Sequence, residues 1–137
     1  MTELTRVSSG SPWEPVIGFC RAVRVGDRVI VSGTGPVWPD GSCDPDPAVQ
    51  TRRALEIIAQ ALAEAGTDLS SVVRTRMYLV DRADAAAVGA VHGEVFGGIR
   101  PAATMVVVSG FVDPRWRVEI EAEAVARRPG DGLGHTG

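Results

Sequence analysis

The chain has 137 residues, 45% of them apolar and 23% charged, with a net charge of −3. That is the balance of a water-soluble globular protein of one-domain length, and the acidic excess argues against nucleic acid, which calls for a basic stripe. All 14 basic side chains are arginine, so a Schiff-base lysine, a pyridoxal-phosphate lysine and a P-loop lysine are all excluded.

No apolar run approaches the roughly 20 residues of a membrane span. The opening MTELTRVSSG lacks an apolar signal core, and the chain reads as cytoplasmic. Cys20 and Cys43 have no CxxC spacing and read as free thiols. His92 and His135 form no HxH, HExxH or Cys/His cluster, so neither a metal nor a cofactor is expected.

A short strand is expected near Arg6. Phe19 to Val25 and Arg28 to Ser32 then read as a hairpin around Gly26-Asp27, a two-residue turn with glycine first. The stretch TGPVWPDGSCDPDP is dense in turn residues and reads as loop. Asp46 followed by Pro47 opens a helix that runs to about Ala65, where Gly66 stops it; Leu55, Ile58, Leu62 and Ala65 form its apolar stripe.

Val72 to Val80 reads as a strand with Val73, Thr75, Met77 and Leu79 on one face and Arg74, Arg76 and Tyr78 on the other. Asp84 is the expected cap of a second helix that ends near Phe96, with Val88, Val91 and Val95 inward. Gly89 and Gly93 leave one of its faces bare, through tolerance at an exposed surface or through close approach of a neighbour or ligand.

The stretch from Arg100 to Val125 reads as two strands joined by a Pro-containing turn. In the second, Arg117, Glu119, Glu121 and Glu123 alternate with Val118, Ile120, Ala122 and Ala124. Carboxylates about 6.6 Å apart on one strand face repel and need water or cations. If this strand neighbours the one bearing Arg74 and Arg76, those arginines supply the cations. Residues 127–137 read as a disordered tail beyond a single domain of residues 1–126.

The order β-β-α-β-α-β-β gives an α+β fold: a mixed sheet of five or six strands with both helices on one face. The other face is then wet or buried between subunits, which suggests a symmetric oligomer enclosing polar pockets.

AVRVGDRVIVSG, QTRRALEIIAQALAEAGTDLSSVVRTRMYLVD, RPAATM and VEIEAEAV together resemble the RidA/YjgF (L-PSP) family over residues from about 17 to 126. The resemblance implies a chorismate-mutase-like fold and a homotrimer with small-molecule sites in the subunit clefts. It also implies hydrolysis of reactive enamines and imines to a carbonyl compound and ammonia. In that family an arginine clamps the substrate carboxylate and a glutamate positions water.

By resemblance, Glu119 matches the water-positioning glutamate, and Ser32 and Gly33 match the loop pair that lines the cleft. The family arginine, third in P-A-R-S/T, is Ala103 here. Phe19 stands at the family tyrosine, Gly89 at an asparagine and Met105 at a cysteine. Losing a bidentate clamp weakens carboxylate recognition by about two orders of magnitude or more. Arg100, Arg21 and Arg76 are the candidate substitutes; each could equally be a surface or interface arginine.

The alternatives left open are an imine or enamine deaminase with a non-standard substrate and a non-catalytic trimer that binds a metabolite or partner. An endoribonuclease is disfavoured by the acidic balance. Glu119 could equally be an ion-pair partner of Arg74 or Arg76. His92, Trp38 and Trp116 read more readily as packing residues than as catalytic base or pocket roof.

Overall fold

The computed structural model describes residues 3–126. The tail expected at 127–137 lies outside the described residues. Six strands form one sheet: β1 (Leu4–Val7), β2 (Ala22–Val25), β3 (Arg28–Thr34), β4 (Val72–Leu79), β5 (Ala102–Val107) and β6 (Val118–Val125), in the order β1-β2-β3-β6-β4-β5. Only β4 and β5 run parallel; every other pair is antiparallel. Helices α1 (Pro47–Glu64) and α2 (Ala85–Phe96) pack against each other, with α1 lying across β3 and β6.

Local chemistry accounts for these elements. Gly26 takes φ +61° in the β2–β3 turn, where a side chain would be strained. At the start of α1, the Asp46 carboxylate accepts hydrogen bonds from Ala48 N at 2.7 Å and Val49 N at 3.2 Å, two donors the helix cannot satisfy itself. Pro47 needs no such partner. At the other end Gly66 adopts φ +88°, and Arg24 from β2 donates to the Ala65 carbonyl at 2.6 Å. None of the described helices is long and apolar enough to cross a membrane.

The core lies between the helices and the inner sheet face, where Val29, Val31, Ile58, Leu62, Leu79, Val88, Val91, Phe96, Val118 and Ile120 are buried. The alternation expected of β6 is present, with Val118, Ile120, Ala122 and Ala124 inside. Its carboxylates stand on the opposite face, level with β4: Arg74 faces Glu123, Arg76 faces Glu121 and Tyr78 faces Glu119. Arg76 Nη1 lies 3.4 Å from Glu121 and 3.5 Å from Glu123. Tyr78 Oη donates to Glu121 at 2.5 Å. Arg76 therefore serves two of the three carboxylates, Glu121 and Glu123, and Arg28 approaches Glu123 at 3.9 Å; among the described residues Arg74 makes no ion pair.

Three local expectations are corrected. Val73 does not join Thr75 and Met77 inside: a bulge between Val72 and Arg74 buries Val72 and leaves Val73 exposed. The pairing of the two C-terminal strands, which the sequence left open, is absent: β4 lies between them. Arg117 leaves the glutamate face; it precedes β6, and its Nε and Nη2 donate to Asp84 at 2.8 and 3.0 Å. Asp84 accordingly occupies the cap position of α2 without capping it. Capping passes to Asp81, whose carboxylate accepts from Ala83 N at 2.8 Å in the short turn before α2.

Candidate functional site

The residues singled out from the sequence fall into two groups within the subunit. The first gathers at a bulge in β3. Val31 pairs with Ala122 and Thr34 with Ile120, so Ser32 and Gly33 together oppose Glu121 alone. The extra residue turns Gly33 onto Glu119: a Cβ built on Gly33 would collide with the Glu119 carboxylate. A side chain on Gly33 would oblige the Glu119 carboxylate to move.

Arg21 pins this bulge. It is 7% exposed, and its Nη1 donates to Gly33 O at 2.6 Å and to Thr34 Oγ1 at 3.2 Å, while Nε donates to Ser9 Oγ at 3.3 Å. The Phe19 ring lies 5.4 Å from the guanidinium carbon. Ser32 Oγ donates to Cys20 O at 2.7 Å, tying β3 to the segment before β2. Phe19, Arg21, Ser32, Gly33 and Glu119 thus belong to one constellation.

Burial raises the Glu119 carboxyl above its ordinary value of 4.5, Arg21 pulls it back and Glu121 adds to the rise. Burial also disfavours the charged form of Arg21, against the attraction of Glu14 and Glu119. Burial acts on Glu14 in the raising direction, but hydrogen bonds from Ser9 N at 3.0 Å and Ser9 Oγ at 2.7 Å hold its carboxyl below the usual range. The Glu119 carboxyl is therefore a proton acceptor brought closer to neutrality, beside a fixed cation.

The second group sits on the edge strand β5 and the facing flank of α2. Ala103 is level with Thr75 and Met105 with Met77, so both lie on the helix-bearing side of the sheet. Met105 Cε comes to 3.8 Å from where a Gly89 Cβ would stand, whereas nothing lies within 4 Å of the corresponding position at Gly93. A Cβ at Gly89 would meet Met105 at ordinary van der Waals distance, and the bare face of α2 is otherwise open.

His92, on the same flank, places Nε2 2.8 Å from Thr75 Oγ1 and its ring 4.7 Å from Phe96. Burial lowers its pKa below 6.5, so the imidazole is neutral at neutral pH. Ala103 itself is exposed.

The two groups do not meet within the subunit. Glu119 stands on the open sheet face, Ala103 and Met105 on the helix face, and β4 runs between β6 and β5. Of the three arginines considered as substitutes for the missing clamp, Arg21 is committed to the bulge and Arg76 to Glu121 and Glu123. Arg100 is exposed, precedes β5 and holds φ +58°, a conformation costly for a residue with a Cβ.

Sequence reasoning did not anticipate the part played by Gln50. Buried in α1, it donates from Nε2 to Asp44 O at 2.8 Å and Arg115 O at 3.0 Å, and accepts from Arg117 N at 2.7 Å. It fastens the loop before α1 to the start of β6. Its one signal was a polar residue on the inner stripe of an amphipathic helix. Among the described residues no three of His, Cys, Asp and Glu converge as a metal site would require.

A mixed six-stranded sheet covered on one face by two helices, with a glutamate held against a glycine bulge, places the protein in a known class. The family described as endoribonuclease L-PSP matches residues 11–126. An uncharacterized protein of Streptomyces coelicolor is 48% identical over 120 residues, 87% of this chain and 90% of that one. The 3-aminoacrylate deaminase RutC of Acinetobacter baylyi is 36% identical over 117 residues, covering 84% and 91%. A Mycobacterium tuberculosis member of the YjgF/YER057c/UK114 family, solved by crystallography, superposes with a TM-score of 0.84 at 45% identity, covering 90% of this chain and all of that one. The chain belongs to the RidA/YjgF family.

Proposed function

We propose that this protein hydrolyses a reactive imine or enamine to a carbonyl compound and ammonia. In this reading it acts in the cytoplasm as a homotrimer, with Glu119 as the group that orients and deprotonates water. The observation that carries the reading is the Glu119 carboxylate held against Gly33, raised in pKa by burial and faced by Arg21. Water adds to the carbon of the C=N bond. The proton released passes through Glu119 to the nitrogen, giving a carbinolamine; its hydroxyl proton then passes to the same nitrogen as the C–N bond breaks, leaving the carbonyl compound and ammonia.

A homotrimer accounts for the two separated groups. Phe19, Ser32, Gly33 and Glu119 of one subunit would face Gly89, Ala103 and Met105 of the next, each group being half of a cleft for a small molecule. No cofactor enters the reaction.

The substrate of this reading has no amino-acid carboxylate. Ala103 offers no cation, Arg76 is paired with Glu121 and Glu123, and Arg21, tied by Nε and Nη1 to Ser9, Gly33 and Thr34, belongs to the other group. The polar group nearest Ala103's level of the sheet is the neutral His92–Thr75 pair. Phe19 and Met105 add apolar surface, which suits a substrate with a hydrophobic part.

The test is ammonia release from imines generated in place by an amine oxidase, using neutral and carboxylated substrates with the wild type, Glu119→Gln and Ala103→Arg. Turnover of neutral imines that Glu119→Gln abolishes is the expected result. Silence of the wild type on both classes overturns the reading. A second reading, a trimer that binds a metabolite without turnover, is favoured by the apolar or bare residues at Phe19, Gly89, Ala103 and Met105. It predicts ligand-induced thermal stabilisation with no product.

A further inference from the structure

All three tryptophans of the chain, Trp13, Trp38 and Trp116, line one groove of about 980 Å³. The groove lies between the Ser8–Trp13 segment, the loop from Gly35 to Gly41 and the flank of α1 that carries Arg53 and Ile57. Neither Glu119 nor Ala103 lines it, but Arg21 and Thr34 at the β3 bulge do, so it adjoins the site proposed above and shares Arg21 with it.

Its aromatic walls are held in place. The Arg53 guanidinium sits 4.3 Å from the Trp38 ring centroid while its Nε donates to Val37 O at 3.0 Å. Trp116 lies directly over Gly35, where any Cβ would strike its six-membered ring. Trp13 and Trp38 keep 49% and 37% of their surface exposed, which leaves ring surface free to stack.

The polar side of the groove is unbalanced. Two of its carboxylates already have cations: Asp113 pairs with Arg115 at 2.7 Å, and Glu56 with Arg53 at 3.4 Å. Asp40 accepts from Ser42 N, and Glu64 stands at the end of α1. Two donors, by contrast, lack acceptors among the described residues. The indole N–H of Trp116 is buried and unpartnered. Arg21 is more than nine-tenths buried, its Nε and Nη1 are engaged, and its Nη2 takes no partner.

We propose that this groove is a binding site for a small flat aromatic ring bearing one carboxylate. The ring stacks on the tryptophans and the carboxylate accepts from Arg21 Nη2. A ligand with two or more negative charges is disfavoured by Glu64 and by the neutralised state of the other cations.

Nuclear magnetic resonance reads the site directly, because the three tryptophans give three indole N–H signals. Full-length protein is titrated with 2-naphthoate, with its neutral amide and with cyclohexanecarboxylate, which has the charge without the ring. The expected result is saturable movement of the indole signals by 2-naphthoate, with affinity about tenfold above that of the amide, the worth of one charge-assisted hydrogen bond, and also above that of cyclohexanecarboxylate, which cannot stack.

Trp13→Ala, at an exposed position, is expected to weaken 2-naphthoate and its amide alike. Arg21→Gln is expected to erase the preference for acid over amide, if it folds; the wild-type acid-to-amide ratio decides the matter if it does not. No saturable shift, equal affinity for acid and amide, or unchanged binding in Trp13→Ala overturns the proposal. Glu119→Gln separates the two sites, since it should stop hydrolysis and leave the indole shifts intact.

Discussion

Gly33 and Glu119 share one space: the carboxylate of the second fills the volume where a side chain on the first would begin. Replacing Gly33 by alanine therefore forces Glu119 out or the bulge open. Gly33→Ala is expected to cost about 1–3 kcal/mol, the usual penalty of overpacking, measured by urea denaturation. Imine hydrolysis should fall with it. Full activity and unchanged stability would show that the carboxylate moves aside freely.

The Asp84–Arg117 pair joins the start of α2 to the start of β6, and Asp84 is nearly buried. Arg117→Leu leaves that carboxylate without its two charge-assisted hydrogen bonds, and a loss of about 2 kcal/mol is expected. Adding Asp84→Asn should recover part of it, so a double-mutant cycle in denaturant is the appropriate measurement. Additive effects would mean the pair contributes no coupling.

Arg76 lies between two carboxylates, but all three side chains are about one-third exposed. Its pairs are therefore weak, and Arg76→Met should cost only about 0.5–1 kcal/mol in the isolated fold. The informative readout is salt dependence. The variant should gain stability from added salt relative to the wild type, because salt screens the repulsion left between Glu121 and Glu123.

Two half-buried titratable groups shape the acid side of the stability curve with opposite signs. Glu119 holds its proton to higher pH when folded, so folding takes up a proton above 4.5 and stability falls as pH climbs through that window. Glu119→Gln should melt higher than the wild type at pH 7, with the gap closing near pH 4. His92 is lowered below 6.5, so folding releases a proton and stability falls as pH drops through 6.5. His92→Gln should flatten that acid loss. Melting curves from pH 4 to 8 resolve both effects.

The sequence made the periodic parts of this fold legible. The two-residue alternation of β6 and the 3.6-residue stripe of α1 read correctly because each element buries one regular face. Val73 was misplaced because alternation assumes an unbroken register, and a bulge leaves no mark in a run of β-branched residues. Asp84 had a capping residue's local context, but Arg117, 33 positions away, takes its carboxylate. Arg21 and Arg76 could be weighed as free cations only until the fold gave them partners. Glu119 and Gly33 could be picked out only by resemblance, because the collision that couples them exists only across two paired strands.

The position of β6 has one more consequence. Among the described residues the last strand in the sequence is an inner one, hydrogen-bonded to β3 on one side and β4 on the other. Without Val118–Val125, β1-β2-β3 and β4-β5 are two fragments with no shared backbone ladder. β6 is therefore the keystone of the sheet, and the pairings that join its halves link segments far apart in the chain.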